Sequence, residues 1–164
     1  MNFINTSIIR RFTLFLVAMM LSICTMAADF NQIQRLANQG DVSAQILLGS
    51  MYYEGKGVRQ DYAKSIEWYT KVANQGNSNA QAFLGAAYSG GKSVRQDYAK
   101  SIEWYTKAAN QGNAGAQYNL ALMYFQGKGV RQDFRISKEW VGKSCDNGYQ
   151  YGCDMYREMN ELGF

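Results

Sequence analysis

Val58–Lys71 reads VRQDYAKSIEWYTK, and Val94–Lys107 repeats those fourteen letters without a change. The 36-residue step between the copies also aligns Gly40, Gly76, Gly112 and Gly148; Leu48, Leu84 and Leu120; and Tyr52, Tyr88 and Tyr124. It carries on through Gly55, Gly91 and Gly127; Val58, Val94 and Val130; Asp61, Asp97 and Asp133; and Trp68, Trp104 and Trp140. A fixed period of this size is the mark of a stacked repeat architecture. The duplicated stretch is therefore the generic part of the molecule, a connector and helix whose job is to stack.

Each repeat is predicted to hold two helices. Ala44, Leu47, Leu48, Met51 and Tyr52 fall at i, i+3, i+4, i+7 and i+8, which predicts a helix over about Ser43–Tyr53 with these five on its apolar face. Glu54-Gly55-Lys56-Gly57 stops it, because glycine adopts positive φ at low cost. The duplicated stretch supplies the second helix. Asp61 is its N-cap, Tyr62, Ile66, Tyr69 and Ala73 recur at helical spacing, and Gly76 stands where a left-handed C-terminal residue is expected. Glu67 and Lys71 stand at i, i+4, repeated as Glu103 with Lys107 and Glu139 with Lys143, and each pair would add about 0.3 kcal/mol on a solvated face. The chain has no proline to break a helix, and no strand-like alternation of useful length.

A single two-helix unit cannot bury both of its apolar faces and needs a neighbour on each side, so identical letters report identical packing environments. The pattern A-x-x-x-L-G-x-x-Y-x-x-G-x-G-V-x-x-D-x-x-x-S-x-x-W-Y-x-K, read from Ala44 to Lys71, resembles the Sel-1-like repeat, a relative of the tetratricopeptide repeat. The resemblance covers Asp41–Gly148 as three repeats, 41–76, 77–112 and 113–148. Ser93 replaces the second loop glycine in the second repeat, and Ala121 the helix glycine in the third. Phe30–Gln39 matches only the tail of a second helix, and Gln150–Leu162 stands where a fourth first helix would be. These ends are expected to form capping helices within 28–40 and 149–164. The resemblance implies an all-α fold, a right-handed α-solenoid of antiparallel helix pairs with about eight helices.

The segment 1–27 has the organisation of a secretory signal peptide. Arg10 and Arg11 precede the apolar run Phe12–Cys24, and Thr25-Met26-Ala27 is a small-x-small triplet, which places cleavage after Ala27. A run of thirteen residues is too short to cross about 30 Å of hydrocarbon as a helix, so no stable membrane span is expected once the segment is cleaved. Cys24 hints at a lipoprotein signal, but Ile23 is bulky where such signals want a small residue. Export points to the periplasm or the exterior. Removing two arginines from 17 basic residues leaves 15 against 13 acidic ones, a net charge of +2 in place of +4, and gives no reason to propose nucleic acid as a partner.

Cys145 occupies the register of Ala73 and Ala109, and Cys153 that of Gln45, Gln81 and Gln117, with only the turn around Gly148 between them. An even number of cysteines behind a signal peptide favours a disulfide over a metal site. The spacing resembles a cysteine-rich secreted branch of the same family, in which each repeat is stapled in this way. That likeness implies a Cys145–Cys153 clip on the C-terminal cap, worth about 2 to 3 kcal/mol. With Cys24 removed in the signal segment, two cysteines and no histidine leave too few ligands for zinc, so neither a metal nor a cofactor is expected.

The absence of histidine also removes Ser-His-Asp and Cys-His mechanisms. Ser89-Gly90-Gly91-Lys92 carries the letters S-x-x-K of penicillin-recognising enzymes, and the cysteine-rich branch has been associated with β-lactams. The pair lies in a connector, however, and has no companion Lys-Thr-Gly triplet. Gly55-Lys56-Gly57 lacks the rest of a phosphate loop and recurs as a connector. No catalytic residue is assigned, and the chain is not expected to be an enzyme.

A surface remains. First-helix positions that vary between copies are free to serve a partner: Ile46, Ala82 and Tyr118; Ser50, Ala86 and Leu122; Tyr53, Ser89 and Phe125. In solenoids of the resembled type these helices line the concave side, where extended peptides dock. Tyr53, Tyr118 and Phe125 are the expected contacts, aromatic anchors that in the other reading fill the core or cover a cap. Lys56, Arg59, Lys92, Arg95, Lys128 and Arg131 would form a basic edge stripe, partly offset by Asp61, Asp97 and Asp133. The resulting expectation is a noncatalytic protein–protein interaction module or scaffold of the bacterial envelope or secretome, with another protein or an extended peptide as partner. The alternatives are a β-lactam-binding or hydrolysing enzyme and a secreted inhibitor or immunity factor.

Overall fold

The computed structural model describes residues 29–91 and 93–164. The expected signal segment 1–27, its cleavage site after Ala27, Cys24 and Lys92 lie outside the described residues. The chain divides into two compact units, Met1–Gln60 and Asp61–Phe164.

The described part of the first unit holds helix α1, 29–38, and helix α2, Val42–Glu54. Asp41 caps α2 by accepting the Ala44 N–H at 2.7 Å. The Gln45 side-chain amide reaches back to donate to the Ala37 carbonyl at 3.0 Å. The buried face of α2 is Ala44, Gln45, Leu48, Gly49 and Tyr52. Leu47, expected among them, is 47% exposed. At 100° per residue it lies roughly 130° around the helix from the middle of that stripe, which a glutamine and a glycine share with the apolar residues.

The second unit runs through α3 Tyr62–Asn74, α4 Ser78–Gly90, α5 Tyr98–Asn110, α6 Ala114–Gln126, α7 Phe134–Asp146 and α8 Gln150–Glu161. Each helix packs on the next in chain order, and first helices of successive repeats also touch, α4 with α6 and α6 with α8. The fold is an all-α, right-handed α-solenoid of antiparallel helix pairs, with no strand among the described residues.

Capping sets where these helices begin. Asp61, Asp97 and Asp133 sit in extended backbone and accept the N–H groups of Lys64, Lys100 and Ile136 at 3.0, 3.0 and 2.9 Å. Each satisfies one of the N–H groups that a helix start leaves without a partner. Asn77 and Asn113 do the same for α4 and α6. At the far end of α6, Gly127 takes φ 67°, the left-handed conformation that turns its N–H back to the Met123 carbonyl.

Packing repeats with the sequence. Leu84 and Leu120 are buried to 0% and 1% exposure. Ser101 donates to the Gly85 carbonyl at 2.7 Å, and Ser137 to the Ala121 carbonyl at 2.9 Å, each joining a second helix to the first helix of its own repeat. Where the repeats differ, they compensate. A Cβ on Gly85 would stand 2.6 Å from a ring carbon of Tyr105. One repeat later the residues in register are Ala121 and Val141, which lie in one buried cluster with Met159. The methyl group gained at 121 is accommodated because the ring opposite has been lost.

The charge pairs read along the second helices only partly form. Lys107 binds Glu103 at 2.7 Å, whereas Glu139 accepts from Arg135, one turn earlier, at 2.9 Å. Lys71, Lys107 and Lys143 each lie over the tryptophan three residues before, 3.7, 4.3 and 4.2 Å from the Trp68, Trp104 and Trp140 rings. A solvated cation over an indole is worth about 0.5 to 1 kcal/mol, at least as much as an exposed i, i+4 ion pair.

At the C-terminal end Cys145 on α7 is bonded to Cys153 on α8, with their Cα atoms 4.4 Å apart. Gly152 permits the close approach, since a Cβ there would lie 2.5 Å from Ser144 Oγ.

Candidate functional site

Side chains of α6 and α8, most of them at registers that vary among the repeats, line a groove of about 330 Å³. Its α6 wall is Tyr118, Leu122, Phe125 and Gln126, four residues at i, i+4, i+7 and i+8. From α8 come Tyr151, Asp154, Met155, Glu158 and Met159, and Leu162 follows just beyond the helix. The helices stack at a 36-residue step, but across the groove Tyr118 meets Tyr151, 33 residues on, with ring centroids 6.4 Å apart. The difference of three is about one helical turn, so Tyr118 reaches the ring one turn before its own register on α8.

Two of the expected contacts therefore meet in one place. Tyr118 packs against Tyr149 and Tyr151 with ring centroids 5.4 and 6.4 Å away, and those two rings are 5.5 Å from each other. Tyr151 is 65% exposed, so the outer side of this triangle faces solvent. Burial pushes the Tyr118 hydroxyl above its ordinary pKa, with the neighbouring Tyr149, Tyr151 and Glu158 adding to the effect. At the other end Phe125 packs edge-on to Phe134 at 5.2 Å and to Phe164 at 6.4 Å. Lys138 donates to the Phe164 carbonyl beside them. Phe125 thus both lines the groove and seats the last residues of the chain.

Tyr53 lies in the first unit, half-buried near the end of α2. Its carbonyl accepts the Gln60 side-chain amide at 2.7 Å, as Ser89 accepts Gln96 and Phe125 accepts Gln132. These bonds tie down each connector in the same way and are generic to the repeat.

Of the expected basic stripe, Lys56, Arg59, Arg95, Lys128 and Arg131 are exposed, and Lys92 is outside the described residues. Lys56 pairs with Glu54 at 2.5 Å and holds that carboxyl below the usual carboxylate range. Lys128 lies 6.0 Å from the Tyr98 ring. Arg95 lines a second hollow, of about 550 Å³, with Tyr88, Val94, Asp97 and Lys100. Except for Lys100, these residues recur in all three repeats, which marks the hollow as part of the connector.

Tyr151, Asp154, Met155 and Glu158 are not among the residues expected from the sequence, because 150–162 reads as a cap rather than as a helix that presents a surface. The signal that finds two of them is the period itself: Asp154 and Glu158 stand 36 residues after Tyr118 and Leu122, in registers that vary among the repeats. Among the described residues no group of three His, Cys, Asp or Glu side chains is arranged to hold a metal ion. The groove offers faces, hydroxyls and carboxylates for binding.

Residues 42–77, 78–113 and 114–149 each match the Sel1 repeat. The crystal structure of a protective antigen present in uropathogenic Escherichia coli strains, displaying an SLR fold, matches with a TM-score of 0.80 at 35% identity. That match covers 85% of this chain but 30% of the Escherichia coli protein, so this chain spans under a third of that protein's length. A Sel1 repeat protein from Oxalobacter formigenes matches at 35% identity and TM-score 0.72, covering 79% of this chain and 98% of that one. Cysteine-rich protein B of Helicobacter pylori, 22% identical with a TM-score of 0.61 over 77% of this chain and 96% of its own, shares the fold. No curated protein matches the chain. With three repeats in register over most of its length, the chain belongs to the Sel1 repeat family.

Proposed function

We propose that this chain is an exported, noncatalytic protein-interaction module of the bacterial envelope or secretome, and that the α6–α8 groove is its main docking surface. Sel1-repeat proteins are generally protein-interaction scaffolds. The observation that carries the reading to this place is the convergence of Tyr118, Leu122 and Phe125 with Tyr151, Met155 and Leu162 along two adjacent first helices. Stacking dictates the repeated positions and leaves these free, and aromatic side chains in a half-open hollow are the usual anchors of an interface. Tyr53 offers a further contact in the first unit. The exposed basic residues of the connectors are a subsidiary surface for an acidic partner.

Export is supported by the Cys145–Cys153 bridge, since disulfides persist in oxidising compartments. No described helix is long and apolar enough to cross a membrane. The relative in uropathogenic Escherichia coli is a protective antigen, which is in keeping with a protein the host encounters.

The test is a pull-down from envelope extract with the wild-type chain beside Leu122→Arg and Tyr151→Ala variants. Both positions line the groove without the cap-seating contacts of Phe125, so the variants should fold. Loss of the same captured protein from both variants supports the reading. A captured set unchanged in either would remove the groove from it.

A further inference from the structure

We propose that the α6–α8 groove receives a cationic, apolar peptide segment, whose lysine or arginine side chain lies along the Tyr118 and Tyr151 rings with its head at the Asp154 and Glu158 carboxylates. This rests on the reading of the groove as a docking surface and names the chemistry of its occupant.

The two walls differ in kind. Helix α6, AGAQYNLALMYFQ, carries no charged residue, and its contribution to the groove is two aromatic rings, a leucine and an amide. Helix α8 carries Asp154, Glu158 and Glu161 against the single cation Arg157, in a chain whose overall charge is +4. Two of those carboxylates line the groove, and Arg157 does not. Arg157 approaches Asp154 at 3.5 Å from an exposed position, and Glu158 makes no ion pair among the described residues. The local field is therefore negative over an apolar floor.

Three kinds of occupant can be weighed against that arrangement. An acidic segment would bring like charges together. A wholly apolar one would cover two carboxylates and leave them without the water that solvates them, which costs more than the apolar contact returns. A lysine or arginine satisfies both walls at once, because its methylene stem covers apolar surface while its head stays at the polar edge. Tyrosine faces add a cation–π attraction to the same group. A hollow of about 330 Å³ takes a few side chains of an extended or helical segment.

The experiment is selection of a displayed library of random twelve-residue peptides on the purified wild-type chain, followed by fluorescence anisotropy with the synthesised winners. Enriched peptides should carry net positive charge beside two or more apolar residues. Their affinity should fall about tenfold in the isosteric Asp154→Asn, Glu158→Gln double variant, as two charge pairs together predict, with an unchanged melting temperature. Raising salt should weaken binding to the wild type and have much less effect on the double variant. Neutral or acidic winners whose binding is lost in Leu122→Arg would keep the groove and overturn the cationic occupant. Cationic winners indifferent to the double variant would also overturn it. Absence of any winner sensitive to Leu122→Arg would overturn the docking reading itself.

Discussion

Cys153 is bonded to Cys145 at the register where Gln117 donates its side-chain amide to the Ala109 carbonyl, eight residues back. The same buried bond joins Gln81 to Ala73 and Gln45 to Ala37, each at 3.0 Å. A covalent clasp thus stands in the last turn where hydrogen-bonded clasps stand in the earlier ones. The amides need more than their carbonyl partners. Gln81 Oε1 accepts from Gln111 at 2.7 Å and Gln117 Oε1 from Asn147 at 2.9 Å, each at the end of the second helix of the same repeat. A glutamine at 153 would call for such a donor at the end of a second helix packed on α8, and a disulfide does not.

Reducing the bridge should lower stability by about 2 to 3 kcal/mol, the chain-entropy value for so short a loop. The Cys145→Ser, Cys153→Ser variant should lose as much. Cys145→Ala with Cys153→Gln, which restores the letters of the earlier repeats, should recover about 1 kcal/mol of that loss through one buried hydrogen bond. Urea denaturation of the three proteins measures this, and equal stability of the two double variants would show that the clasp register is incidental.

The Gly85–Tyr105 contact makes a second prediction. Gly85→Ala alone should destabilise by about 1 to 2 kcal/mol, as overpacking against the ring exceeds the helix propensity gained. Combined with Tyr105→Val it reproduces the Ala121 and Val141 pair of the third repeat. The double variant should be more stable than the sum of the two single changes by at least about 1 kcal/mol. Additivity in a double-mutant cycle would show that the two positions are not coupled.

Tyr105 is 4% exposed, and burial pushes its hydroxyl up to about 12 from an ordinary 10. Its folded pKa is raised, so its contribution is fully present below pH 10 and is lost as pH rises toward 12, where the unfolded chain is already ionised. At pH 11 the wild type should have lost about 1.4 kcal/mol that a Tyr105→Phe variant keeps. The stability difference between the two, compared by denaturation at pH 8 and pH 11, should shift by that amount in favour of the variant.

The period made the fold legible, because caps, turns and buried residues recur wherever the letters do, from the Asp61, Asp97 and Asp133 caps to the Leu84 and Leu120 core. Single-helix reasoning did less well. Helical spacing placed Leu47 on the buried face, but the stripe that packs is centred on Ala44, Leu48 and Tyr52 and includes Gln45, whose amide is spent on a backbone carbonyl. Glu139 and Lys143 have the spacing of an ion pair, yet Arg135 and Trp140 compete for the same charges. Tyr118 and Phe125 are legible as variable positions. Asp154 and Glu158 stand 36 residues after Tyr118 and Leu122, in the same variable registers, but reading 150–162 as a cap leaves them out of that comparison.

The central claim, that second helices stack while the α6–α8 groove binds, is tested most directly by site-specific photocrosslinking in envelope extract. A photoreactive residue would replace Leu122 in the groove in one protein and Glu103, on the exposed face of α5, in another. The account predicts a discrete crosslinked adduct from position 122, absent from position 103 and abolished by Tyr151→Ala in the same chain. The same adduct from position 103, or its survival in the Tyr151→Ala background, would contradict it.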